Sequence, residues 1–186
     1  MTRTYPINNN NNNIIAKSIK ETANKTNNVL NDTNNSSIVA KNIYEAVNGI
    51  GTNEKQLSNA VNQINQVNVT SIFDAWNSAG YNKAFGNDLI GAIQEDTSGS
   101  YQKSIETKIA SALYERAQKF GMKEEATALK AIIEGEHKKL GFSSEEKIRN
   151  AINDIQKKIS EVETRFELKG KTVPTLIEGN ESIFSK

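Results

Sequence analysis

Two short turns carry the residue types best suited to chemistry in this 186-residue chain. The first is Gly49-Ile50-Gly51-Thr52-Asn53-Glu54, and the second is Glu95-Asp96-Thr97-Ser98-Gly99. A tight glycine turn leaves backbone carbonyls outside any helix, and oxygens are what a hard cation such as calcium requires. Other chemistries find little material. The absence of cysteine removes disulfides, thiolate metal sites and cysteine nucleophiles together. His137 is the one histidine, set in Glu134-Gly135-Glu136-His137-Lys138-Lys139, and no second histidine completes a usual zinc site. Gly49-Ile50-Gly51-Thr52 lacks the Walker lysine and follows no strand, so it is no phosphate loop. No pair of carboxylates stands apart from the many helix-surface acids. The chain is therefore expected not to be an enzyme.

The elements that must position these turns are helices, read from apolar spacing. Ile38, Val39, Ile43 and Val47 share a face, and the helix carrying them ends at Asn48-Gly49. Thr52 is expected to cap the next helix, with Glu54 complementing its dipole and Leu57, Val61 and Ile64 on its inner face. Ile72, Phe73 and Trp76 mark a short third helix. Asn87 or Asp88 starts a fourth, carrying Leu89 and Ile93. Ser98 or Ser100 opens a fifth, with Tyr101, Ile105, Ile109 and Leu113 on one stripe.

Five helices in this order, with the G-x-G-T turn answered by Phe85-Gly86-Asn87-Asp88-Leu89 and an acidic T-S-G turn, resemble a single annexin repeat over about residues 36–113. The resemblance implies a calcium site. Matched residue by residue, it takes carbonyls from Val47, Gly49 and Gly51 and one acid from the later loop, Asp96, with Glu95 as rival. In annexins the open positions of the bound calcium accept phospholipid headgroups. Thr52 and Asp96 stand 44 positions apart, a few more than the family usually shows, and the surplus is placed near Ser78-Ala79-Gly80-Tyr81-Asn82. One repeat is present where annexins stack four, and no basic or aromatic cluster surrounds the turn. The pair thus serves either calcium or the capping of helices in an interaction module.

Beyond the module the chain grows more charged. Ala126, Leu129, Ile132 and Ile133 mark a helix between the Phe120-Gly121 and Leu140-Gly141 breaks. Ser143 with Glu146 reads as a capping box for the next. Ile148, Ile152, Ile155, Ile159, Val162 and Phe166 then form a heptad seam that Gly170 closes. The seam packs either on the protein's own preceding helix or between subunits.

The fold expected is all-α: a compact helical bundle holding one five-helix annexin-like module, with extended arms at both ends. Its parts are an Asn-rich arm (1–35), the module (36–113), a helical hairpin with the seam (114–169) and an extended tail (170–186). Of 25 asparagines, 22 precede Leu89, so the arm lacks core formers and should not fold alone. The tail carries Val173, Leu176, Ile177, Ile183 and Phe184 as apolar anchors of the kind that dock on a partner. A net charge of +1 gives no global attraction to nucleic acid or membrane. With 36% hydrophobic residues and a mean hydropathy of -0.60, no segment is long enough to span a bilayer. Asn-rich sequence follows Ile7 where a secretory signal would place an apolar run, so a cytosolic setting is expected. Arms, seam and missing catalytic residues lead to an expected role as a structural subunit. The setting expected is a bacteriophage virion, near the portal, neck or tail as a head-to-tail connector, assembled in the host cytoplasm as a homo-oligomeric ring or particle. The alternative is a calcium-dependent phospholipid or membrane binder of annexin type.

Overall fold

The computed structural model describes residues 17, 18, 20, 34–49, 51–85 and 88–168. The Asn-rich arm falls almost wholly outside these residues, and the tail 170–186 wholly so, together with the Gly170 stop. The chain divides into two compact units, 1–35 and 36–186, and the architecture below is that of the second.

Every element described is a helix. In chain order they are α1 (36–47 within this unit), α2 (Glu54–Asn62), α3 (Val69–Ser78), α4 (Tyr81–Phe85) and α5 (Leu89–Asp96). Then follow α6 (Gly99–Lys119), α7 (Lys123–Ile133), a 3-10 turn (His137–Leu140) and α8 (Glu145–Leu168). The all-α expectation is met. The core is built by the faces that periodicity selects, with Ile43, Leu57, Ile72, Trp76, Ile93, Ile109 and Leu113 fully buried. Burial of such side chains, each worth roughly 1.5–3 kcal/mol, holds together helices too short to persist alone.

α4 is an addition to the expected five helices. It lies where the surplus residues were placed, and Tyr81 fixes it by stacking on Tyr44 of α1 (4.2 Å) and edging on Trp76 of α3 (5.4 Å). Aromatic pairs in these geometries add about 0.5–1.5 kcal/mol beyond area burial. α6 runs unbroken through residue 113 to Lys119 and ends where Gly121 adopts φ +68°.

Two helix starts differ from expectation. Asn53, rather than Thr52, caps α2, its Oδ1 accepting from Gln56 N at 3.1 Å. At α8 the cap is Ser144 instead of Ser143, with Ser144 Oγ accepting from Lys147 N (3.3 Å); Lys147, not Glu146, therefore holds the third position. In both cases the neighbouring residue is an equally good capper, and the position of the chain entering the helix decides between them.

The seam of α8 is satisfied within the chain. Ile152 and Ile159 are fully buried and Ile148 and Ile155 nearly so, with Val162 and Phe166 packed at the edge. They reach α3, α5 and α6 as well as the preceding α7.

Candidate functional site

The turn after α1 is closed by its own backbone. Asn48 N donates to Tyr44 O (2.9 Å), and Asn53 N reaches back to Ala46 O (3.0 Å). Gly51 has φ +84°, a region open to glycine and costly for residues with a Cβ, and its missing side chain would face empty space. Its carbonyl oxygen curls back to 3.6 Å from where a Cβ on Gly49 would stand. Among the described residues no hydrogen bond is made to the carbonyls of Val47, Gly49 or Gly51. Among the described residues these three backbone oxygens thus have no hydrogen-bond partner, and two of them are on exposed glycines.

The second turn arrives from the end of α5. Thr52 Oγ1 donates to the carbonyl of Asp96, which joins the two turns directly across 44 positions. Farther along, Tyr101 OH donates to Glu54 O (2.7 Å) and shares a hydrogen bond with Ser58 Oγ (2.9 Å), so the starts of α2 and α6 are tied as well. After Asp96 the chain turns extended at Thr97 and Ser98, and Gly99 takes φ +64° to begin α6. Thr97 Oγ1 donates to Ile93 O (2.6 Å) and finishes α5. Ser98 occupies the cap position of α6 without a side-chain cap bond.

Asp96 is half-buried, and its Oδ2 is enclosed without a hydrogen-bond partner. An enclosed carboxylate oxygen without a donor is costly, and native structures rarely keep one without a reason. Glu95, its rival in sequence, is exposed. Of the four candidate residues, the fold brings Asp96 to the turn through Thr52, while Val47, Gly49 and Gly51 lie on the turn itself. Among the described residues no group of three His, Asp or Glu side chains gathers to hold a metal. A site here must therefore draw on carbonyl oxygens. His137, on the 3-10 turn, stays apart from such clusters.

Sequence reading missed a polar track on α8. Arg149, Asn153, Gln156, Ser160 and Glu163 each follow a seam residue, so they repeat with the same heptad spacing one position on. Glu163 Oε1 accepts from Arg116 Nε at 2.5 Å, Gln156 Nε2 donates to Ser160 Oγ at 2.9 Å, and Arg149 Nε lies 3.8 Å from Asp88 Oδ2. Arg116 is itself buried and lies over the Phe120 ring at 5.0 Å. The signal was present as a second period-3.5 series, hidden because charged positions beside a seam are ordinarily solvated.

Residues 38–107 match the annexin family model. That stretch spans α1 through the first half of α6 and both turns, and it is an annexin-like repeat. The annexin family is calcium-binding. Neither the curated proteins nor the solved structures searched gave a match.

Proposed function

We propose that the annexin-like repeat holds calcium between its two turns and through it docks on an anionic phospholipid surface. The observation that carries this reading is the enclosed, partnerless Oδ2 of Asp96, joined through Thr52 to a turn whose carbonyls have no partner among the described residues. The donor set is all oxygen, as a hard cation requires. Val47, Gly49 and Gly51 would hold the ion by their carbonyls and Asp96 by its carboxylate. Calcium, when bound, supplies positive charge with open positions for headgroup phosphate oxygens.

The residues themselves do three things. Gly51, at positive φ and with open space around it, lets the turn present oxygens outward. Thr52 fixes the acid's backbone relative to the turn, so the ligands need little reordering on binding. Asp96 brings a carboxylate with one oxygen already enclosed.

The virion-subunit expectation rests on the arms, which lie outside the described residues, and on the seam, which packs within the chain. The annexin match favours the lipid-binding alternative. Among the described residues no helix is long and apolar enough to cross a membrane, so the proposed association is peripheral. The test is co-sedimentation with phosphatidylserine vesicles in calcium or in EGTA. Binding is expected in calcium alone and is expected to be lost in Asp96→Asn. Binding unaffected by EGTA would rule the reading out.

A further inference from the structure

Of the chain's 25 asparagines, only Asn48 is followed by a glycine. Asparagine is a labile side chain, because the backbone nitrogen of the next residue can reach its amide carbon. A Cβ on that next residue obstructs the approach, and glycine has none. The pair stands where α1 gives way to the first turn, beside the carbonyls of Val47 and Gly49.

The fold leaves the reacting groups accessible. Asn48 and Gly49 are both exposed. Asn48 N donates to Tyr44 O (2.9 Å), so the helical ladder of α1 ends on it. Among the described residues, neither the Asn48 side chain nor the N–H of Gly49 has a hydrogen-bond partner. A Cβ on Gly49 would meet Gly51 O at an ordinary 3.6 Å, and Gly49 lacks the positive φ of Gly51, so alanine fits there. The next least hindered pairs are Asn35-Ser36 and Asn77-Ser78, and both lie in helical backbone. Helical φ and ψ hold the following nitrogen away from the side-chain carbon.

We propose that Asn48 is a self-modification site, converted through attack by Gly49 N to aspartate and isoaspartate. The nitrogen of Gly49 bonds to Asn48 Cγ as the Cγ–NH2 bond breaks, and the amino group leaves with the Gly49 proton as ammonia. Water then opens the cyclic imide at either carbonyl. Both products put one carboxylate on the turn, which takes the formal net charge of the chain from +1 to neutral. That carboxylate stands at the C-terminal end of α1, where the helix dipole is negative, so it is unfavourable until a cation joins it. One consequence rests on the calcium reading above: the aspartate form draws the ion more strongly than the native turn.

The test is peptide mapping by mass spectrometry on the full chain, held folded in mildly alkaline buffer with EGTA, so that conversion is scored without calcium. The native chain is expected to gain the mass of an amide-to-acid exchange at Asn48, to release ammonia, and to accept label from an isoaspartate methyltransferase. Gly49→Ala is expected to lose most of that conversion. Asn48→Gln, whose longer side chain cyclises far more slowly, is expected to lose it too, and serves should the alanine variant misfold. An unchanged Asn48 in the folded chain, conversion only after unfolding in urea, or equal conversion in Gly49→Ala would each overturn the proposal. In the vesicle assay, Asn48→Asp is expected to reach half-binding at lower calcium than the native chain. An equal or higher requirement would overturn the consequence for the turn. Absence of binding by either protein would instead overturn the calcium reading, with the modification site decided by the EGTA experiment alone.

Discussion

Asp74 of α3 shows how one side chain can work against the fold it belongs to. Partial burial raises its carboxyl above the ordinary 3.8, and the neighbouring Glu163 charge raises it further. A carboxyl raised by folding opposes the folded state when ionised. The penalty is present in full above the folded pKa and vanishes below 3.8, where the unfolded chain is protonated too. Asp74→Asn is therefore expected to raise the melting temperature at pH 7, with the gain fading as the pH falls through the carboxylate range. The gain should be modest, because part of the carboxyl remains in solvent. A lower melting temperature at pH 7 would show that Asp74 makes a favourable contact instead. Glu163 is held here by Arg116, whose buried guanidinium needs a counter-charge.

At the scale of elements, α8 ties together helices that are distant in sequence, since it reaches α3, α5, α6 and α7. Ile152 is fully buried at the middle of its seam. Ile152→Ala is expected to cost about 2–5 kcal/mol in denaturant unfolding, whereas a seam used only between copies would leave the monomer unchanged. A second tie holds α7 to α8: Lys158 Nζ donates to Glu125 Oε1 at 2.9 Å. That hydrogen bond pulls the Glu125 carboxyl below its ordinary 4.5. A depressed carboxyl stabilises the fold above its unfolded pKa and loses that contribution as pH falls through the folded one. Glu125→Gln should thus lower the melting temperature near pH 7 and have no effect once the pH is well below 4.5. What the sequence made legible at this scale were local signals. Apolar spacing placed the helices, and the start of α5 was readable to Asn87 or Asp88 because the cap is local: Asp88 accepts from Gly91 N, three residues away. Thr52 was misread as a cap because its partner, the Asp96 carbonyl, lies across the fold. α4 was missed because its anchor is Tyr81 between Tyr44 and Trp76, a contact that no local rule displays.

For the whole molecule, the functional account rests on the C-terminal end of α5, where Asp96 is tied to the glycine turn through Thr52. The four candidate ligands came from the annexin resemblance of the two loops, whose glycine turn and terminal acid are sequence features. The tie between the two turns was not legible there, because Thr52 Oγ1 and the Asp96 carbonyl meet only in the folded chain. The central claim is that calcium relieves the enclosed Asp96 oxygen. The most direct measurement is a calorimetric calcium titration of the full chain beside Asp96→Asn, with thermal melts of both in EGTA. The account predicts a saturable heat for the native chain and none for the variant. It also predicts that the variant melts in EGTA at least as high as the native chain, since it no longer encloses a carboxylate oxygen without a donor. Equal heats in the two proteins, or no heat in either, would contradict it.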